Sequence, residues 1–286
     1  MAYEFQTAGI SRLFPDSKKA RSIKTMHSFA DSIIADAIAH LSRSKPTPDP
    51  EKGDMPQPLP SERYVFLHAL LAETQDPYTL RSELLNVLLA GRDTTAGLLS
   101  NTWWVLARRR DIWDKLQAEI RDRLPDGRPP TYAVLKDMKF IRYLLNESLR
   151  LMPIVPSNSR TAVRDTVLPV GGGPDGSAPV LVPAGTVVGY SSWSMHRRFD
   201  FYGPDALEFR PERWENLRPR WEYLPFNGGP RICLGQQFAL LETSYATVRL
   251  CQAFARGVEP RDDRDWSEMI TLTLSSGTGC WVGLSR

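Results

Sequence analysis

The sequence is short of the residues that build the commoner kinds of site. Its three cysteines, Cys233, Cys251 and Cys280, are an odd, sparse set with no close pair. That argues against a disulfide framework and for a reducing, intracellular setting. Four histidines occur, with no Cys-x-x-Cys and no paired-histidine spacing, so a zinc site is not expected. Neither sign of charge dominates. The 36 basic and 33 acidic residues leave +3 over 286 residues, too little to argue for a nucleic-acid partner. No apolar run reaches the length of about 18 residues that crosses a bilayer, so no transmembrane segment is expected. Met1 to Arg12 lacks a basic start followed by an apolar run, and no signal peptide is expected there. There is also no internal repeat and no heptad array.

What is present suffices for a packed core. Hydrophobic residues make up 42% of the chain and aromatics 10%, and the length allows one large core or two small ones. From Asp16 to Leu41, apolar residues at Ile23, Met26, Ala30, Ile33, Ile34, Ala37 and Leu41 recur at helical spacing, with Asp16 placed to cap the start. Ser42 to Pro60 holds six prolines and reads as an exposed connection. Pro77 to Arg109 has no proline after its first residue and predicts a helix on the order of 48 Å long. Its apolar residues on several sides predict a helix running through the middle of the molecule. Shorter helices are predicted from Asp111 to about Leu124, from about Met138 to Leu151, and from Gly235 to Ala255. Val163 to Tyr190, rich in Val, Gly and Pro, predicts short strands and turns. Leu207 to Asn227 is aromatic and irregular, and Ile270 to Leu284 alternates like a terminal hairpin. The fold class is mainly α with a minor β part.

The strongest local signal is Phe226-Asn-Gly-Gly-Pro-Arg-Ile-Cys-Leu-Gly235. Gly228, Gly229 and Gly235 free the backbone to bend and to approach a flat ligand. Cys233 stands just before a helix, where the helix N-terminus favours a thiolate. Arg231 is a candidate partner for a ligand carboxylate. A lone cysteine after a glycine-rich turn is more often buried and structural, but ten residues together say more. The segment resembles, at every fixed position, the haem-binding loop F-x-x-G-x-R-x-C-x-G of the cytochrome P-450 family.

Other stretches resemble that family's motifs in the family's order. Glu147 and Arg150, in Asn-Glu-Ser-Leu-Arg, share one helical face, although such a pair alone is usually a solvated surface pair. Phe209-Arg-Pro-Glu-Arg-Trp214 resembles the segment whose arginine, here Arg213, joins that pair. The resemblance makes these three structural. Ala90-Gly-Arg-Asp-Thr-Thr95 resembles the family's oxygen-side stretch. There Gly91 hints at a bend or a close approach, and Asp93 and Thr94 would help deliver protons. Read alone, Asp-Thr-Thr within a helix fits a solvated face better. Arg160 falls where the family places a basic residue against a haem propionate, although read alone it fits a surface role as well, and Phe226, Gly228 and Gly91 join the cofactor-binding set. His196 is assigned no chemistry.

The resemblance covers the chain from about Leu13 onward and is nearest to the family's fungal alkane and fatty-acid hydroxylases. It implies the carboxy-terminal part of that fold as a single truncated domain over 1–286. Within it, 1–60 would be helix and connection, 61–160 a helical core, 161–225 strand-rich with the meander, and 226–286 the thiolate loop, a helix and a terminal hairpin. It further implies heme b ligated by Cys233, and monooxygenation of an apolar alkane- or fatty-acid-like substrate by O2. Electrons would come from NADPH through a cytochrome P-450 reductase, docking on the side of Arg231. Full-length relatives would sit at the endoplasmic reticulum membrane. Position relative to the motifs makes Asn86, Leu89, Ala90, Val155, Pro156, Leu274 and Ser275 candidate substrate-wall residues. Members of the family are usually far longer. A chain starting mid-fold is expected to hold haem weakly and turn over poorly alone, and the alternative is a non-catalytic remnant without stable haem. Val170 to Gly176 lacks the Gly-Lys-[ST] ending of a phosphate loop and reads as a loop between strands. Arg108 to Arg110 suits a helix end better than a nucleic-acid contact.

Overall fold

The computed structural model describes residues 17–43 and 66–286. The expected cap at Asp16 and the proline-rich connection over 44–60 lie outside the described residues. Contacts divide the chain into two compact units, the division falling after Arg92.

In the first unit, helix α1 (Ser17–Arg43) is followed by α2 (Phe66–Glu73) and the start of α3 (Pro77–Arg108). Its core is small: Ile34 of α1, Leu67 and Leu71 of α2, and Leu80 of α3. An Arg81–Asp31 ion pair at 2.9 Å crosses from α3 to α1. Asp76 caps the long helix, its carboxylate accepting from the Thr79 backbone N–H at 2.9 Å and the Thr79 hydroxyl at 2.5 Å. Those bonds, the hydroxyl first, hold the Asp76 pKa below its ordinary value.

The second unit holds the main core. The carboxy-terminal half of α3 packs with α4 (Arg110–Arg123), α6 (Lys139–Leu151) and α9 (Gln236–Ala253), with the short α5 (Tyr132–Asp137) beside them. Leu106, Trp113, Leu116, Leu144, Leu145 and Val248 are all essentially excluded from water. Apolar burial of this kind is the main drive for folding. The start of α6 has no cap of its own. Glu119 of α4 supplies one instead, accepting from the Phe140 and Ile141 backbone N–H groups at 2.8 and 3.0 Å. This satisfies donors that a helix start leaves open and places α6 against α4.

Among the described residues the β part is four separate two-stranded antiparallel ladders. Strand β1 (Ser157–Thr161) pairs with β4 (Val187–Ser191), and β2 (Thr166–Gly172) with β3 (Ala178–Val182). After β4 come two single-turn helices, α7 (Ser192–Met195) and α8 (Phe199–Tyr202), and 3-10 turns at Pro211–Glu215 and Gly229–Arg231. Beyond α9, β5 (Gly257–Pro260) pairs with the last strand, β8 (Val282–Ser285), while β6 (Glu268–Ile270) pairs with β7 (Leu274–Ser276).

Three expectations change. Ile270 to Leu284 is not one hairpin, because β7 turns back on β6 and β8 returns to β5. Gly279, at φ 78°, redirects the chain between them, and alternation within a segment does not specify its partner strand. The long helix is not interior throughout. Val87, Leu88 and Leu89 are 45%, 59% and 53% exposed, and after Leu80 no residue of the helix is buried again until Thr95. An apolar pattern records what a helix can bury, not what covers it. The short α2 and α5 were not foreseen, being too brief for a clear helical period.

Candidate functional site

The irregular segment from His196 to Trp214 is held to α6 by one buried carboxylate. Glu147 sits on α6 three residues before Arg150, and both are fully buried. Glu147 Oε1 accepts from Arg150 Nη2 at 2.8 Å, Arg213 Nε at 2.9 Å and the Arg210 backbone N–H at 2.9 Å. Its Oε2 accepts from Arg150 Nε and from the Trp214 indole, each at 2.9 Å. A carboxylate offers about four lone-pair sites, so five donors saturate it. The Arg150 guanidinium spends its remaining N–H groups on three backbone carbonyls, those of His196 at 2.9 Å, Ala206 at 2.6 Å and Glu208 at 3.1 Å. The Tyr202 ring lies 5.0 Å from it. Arg213 reaches the carbonyls of Tyr202, Asp205 and Glu208. Burial works against the charge of Arg213, but Glu147 and then Asp205 overcome it and raise its pKa. Charged groups out of water are tolerable only when paired and fully bonded, and here the pairing fixes the path of 196–214.

His196 extends this frame. Its carbonyl is held by Arg150, and its Nε2 accepts from the Leu224 backbone N–H at 2.8 Å. Burial pushes its pKa down to about 4, and the backbone of Arg150 and Leu149 pulls the other way without offsetting it. A neutral ring is therefore built into the fold as an acceptor.

The cysteine loop follows Leu224. Phe226 is half-buried against the main core, and its carbonyl accepts from the Cys233 backbone N–H at 2.9 Å. Asn227, at φ 60°, is the one non-glycine residue with positive φ among those described. Its Oδ1 accepts from the Tyr190 hydroxyl at 2.9 Å and from Asn158 Nδ2 at 3.3 Å. A Cβ on Gly228 would stand 2.6 Å from the Trp221 ring, and Gly229 takes φ 70°, so these two glycines answer a close approach and a left-handed turn. Cys233 is exposed, whereas Cys251 is buried and Cys280 partly so. Burial pushes the Cys251 thiol up to about 12 and raises that of Cys280, which leaves both as poor nucleophiles or ligands. Around Cys233, Ile232 is 53% and Leu234 93% exposed, and Arg231 also faces solvent.

Arg160, on β1, is exposed. It donates to Asn158 Oδ1 at 3.2 Å and to the Ser159 carbonyl at 2.8 Å, with its guanidinium 5.9 Å from the Tyr190 ring. Arg160 and the loop residue Asn227 therefore share two partners. On α3, Asp93 is exposed and Thr94 half-buried, and Gly91 has open space where a Cβ would point. Of the proposed wall, Asn86, Leu89 and Ala90 are exposed, and Val155, Pro156 and Ser275 half-buried. Leu274 departs from the expectation. It is fully buried, its N–H bonded to the Ile154 carbonyl at 2.8 Å, so its side chain belongs to the core. Sequence reasoning missed Asn227, Tyr190, Trp214 and the role of His196. The tryptophan alone had a signal, as the last residue of the segment carrying Arg213.

Comparison with known proteins points one way. The family model described as Cytochrome P450 matches residues 7–277. A protein of Arthroderma benhamiae named Cytochrome P450 is 48% identical over 92% of this chain and 53% of its own length. A cytochrome P450 monooxygenase of Aspergillus japonicus is 46% identical over 94% of this chain and 47% of its own length. Cytochrome P450 52A13 of Debaryomyces hansenii is 49% identical over 78% of this chain and 44% of its own length. The chain spans about half the length of the curated relatives it matches.

Two outcomes follow from the buried frame. Glu147→Gln keeps the shape but leaves Arg150 and Arg213 without a countercharge, and should lower stability by about 3–5 kcal/mol, read from the urea midpoint. His196 makes stability depend on pH. Its folded pKa, about 4, lies below the ordinary 6.5, so as pH falls the unfolded chain takes the proton first. Its contribution is complete above about pH 6.5, declines as pH falls, and is lost through the folded value, about 3 kcal/mol in all. Urea titrations between pH 7 and 4 should show that slope in the wild type. They should show it reduced in His196→Gln, which keeps an acceptor for Leu224 but does not titrate.

Proposed function

The chain belongs to the cytochrome P450 family, and from that premise we propose that it works as a haem-thiolate monooxygenase on an apolar, alkane- or fatty-acid-like substrate, with O2 as oxidant and electrons from NADPH through a cytochrome P-450 reductase. The observation that carries this reading is Cys233. It is the one exposed thiol of the three, on a loop whose stem is pinned to the core.

The residues around it fit the family's cofactor. No cluster of three or more His, Cys, Asp or Glu side chains able to hold a bare ion occurs among the described residues. A single soft ligand suits a metal whose remaining ligands come from a macrocycle. Ile232 and Leu234 present apolar surface on either side of the thiol, and Arg231 and Arg160 are exposed cations of the kind that hold carboxylates. When bound, heme b would supply activation of dioxygen for insertion of one oxygen atom into a C–H bond.

The protein's own residues divide the remaining work. Cys233 Sγ would hold the haem iron, and the Phe226 carbonyl, by holding the Cys233 N–H, fixes the peptide beside it. Arg231 and Arg160 would hold the carboxylates of the bound haem. The Asp93 carboxyl group and the Thr94 hydroxyl would relay protons toward the dioxygen substrate. Glu147, Arg150 and Arg213 touch no reactant and act as scaffold. The reductase docks on the face carrying Arg231, and the reaction belongs inside the cell, at the endoplasmic reticulum membrane for full-length relatives. No helix among the described residues is long and apolar enough to cross a membrane.

A second reading is a non-catalytic chain that holds no stable haem. It draws support from the openness of the loop, with Phe238 69% and Trp221 67% exposed nearby. One experiment separates the two. The chain is expressed with haem supplied, reduced and treated with carbon monoxide, with Cys233→Ala in parallel. A strongly red-shifted Soret band that the variant lacks is the expected outcome. A wild type without that band overturns the first reading in favour of the second.

A further inference from the structure

The cysteine loop has little to hold it. From Gly229 to Gly235 every residue is exposed, and the backbone bonds that shape it are those of Ile232 to Gly229 at 3.1 Å and of Cys233 to Phe226 at 2.9 Å. The first is internal to the loop, and the second ties Cys233 back to Phe226 of the stem. Neither reaches the protein beyond the stem. Placement must come from the stem, Leu224 to Gly228. There the Leu224 N–H is held by His196, Phe226 packs on the core, and Asn227 makes two side-chain bonds to the β1–β4 ladder.

Asn227 differs from the other two anchors in what it combines. Its backbone is left-handed at φ 60°, a conformation that asparagine, aspartate and glycine tolerate better than other residues. Its Oδ1 accepts from both Tyr190 and Asn158, and both of these partners also touch Arg160. We infer that Asn227 is the positioning residue of the cysteine loop. Its left-handed turn launches the loop, and its side-chain oxygen, shared by Tyr190 and Asn158, fixes that turn on the ladder that carries Arg160. The placement of the Cys233 loop relative to Arg160 is thereby governed by the Asn227 clamp, which itself touches neither the thiol nor the guanidinium. The use made of this placement rests on the haem reading, whereas the clamp itself does not.

The chemistry of the clamp makes it testable by substitution. Asn227 acts as an acceptor toward both partners, so Asn227→Asp retains both bonds and the left-handed turn. Asn227→Gly keeps the turn and loses both bonds. Asn227→Ala loses the bonds and strains the turn. Tyr190→Phe removes one donor without touching the loop. Hydrogen exchange at the Cys233 amide, measured in the full chain without haem, reports local opening. Removing one or two neutral hydrogen bonds should speed it about five- to tenfold in Tyr190→Phe and Asn227→Gly and more in Asn227→Ala. Asn227→Asp should stay near the wild-type rate. Urea midpoints should move little in Tyr190→Phe, which separates local placement from general stability. If the wild type also gives the thiolate band with carbon monoxide, the same order should appear in its loss. If it gives none while the exchange order holds, the clamp stands and the haem reading falls. Exchange at Cys233 unchanged in both Asn227→Gly and Tyr190→Phe overturns the inference.

Discussion

The path of the chain from His196 to Trp214 depends on the Glu147 carboxylate. Five donors converge on it from three places in the chain: Arg150 on the same helix, the Arg210 backbone, and Arg213 and Trp214 of the 3-10 turn. A segment as irregular as 196–227 has little regular hydrogen bonding of its own, and its backbone groups must be satisfied some other way. Arg150 and Arg213 do this by spending their remaining N–H groups on carbonyls of 196–208. The arrangement trades desolvation of three charges for a unique path. Charge removal is costly there because each partner would be left buried and uncompensated.

From this frame the order passes outward in steps of decreasing burial. His196, fully buried, takes its position from Arg150 and passes it to Leu224. Phe226 and Asn227 are half-buried and anchor the stem, and Cys233 lies in the open. The polarity of the cysteine environments follows the same gradient. Cys251 is surrounded by core and held as a thiol, while Cys233 stands beside exposed apolar and cationic residues. A reactive or ligating thiol needs access as well as a fixed backbone. Rigid scaffold inside and accessible ligand outside are both required of one short segment.

The two glycine-dependent features of the loop illustrate how much was legible beforehand. Gly228 and Gly229 were readable as sites of close approach and turning, and the reasons are now specific: the Trp221 ring for the first and a left-handed φ for the second. Glu147 and Arg150 were readable as neighbours on one face because a helix makes them so. That the pair is buried rather than solvated was not readable, since burial depends on the 3-10 turn more than sixty residues later. Asn227 carried no signal at all. An asparagine between Phe and Gly is an ordinary loop residue until Tyr190 and Asn158 are placed beside it.

By itself the sequence determined the helices with a clear period, the mainly α class, and the residue types at the cysteine loop and the Glu147–Arg150 pair. These are properties of neighbours along the chain, governed by the 3.6-residue repeat and by local turn chemistry. Only the tertiary structure decided which strand β8 joins, which half of α3 is covered, and that Leu274 belongs to the core. It alone decided that His196 is a buried acceptor and Asn227 a clamp. Each of those depends on contacts between residues far apart in the chain. A side chain's pattern states what it is able to bury or bond, and the partner that answers it is set by the packing of the whole unit.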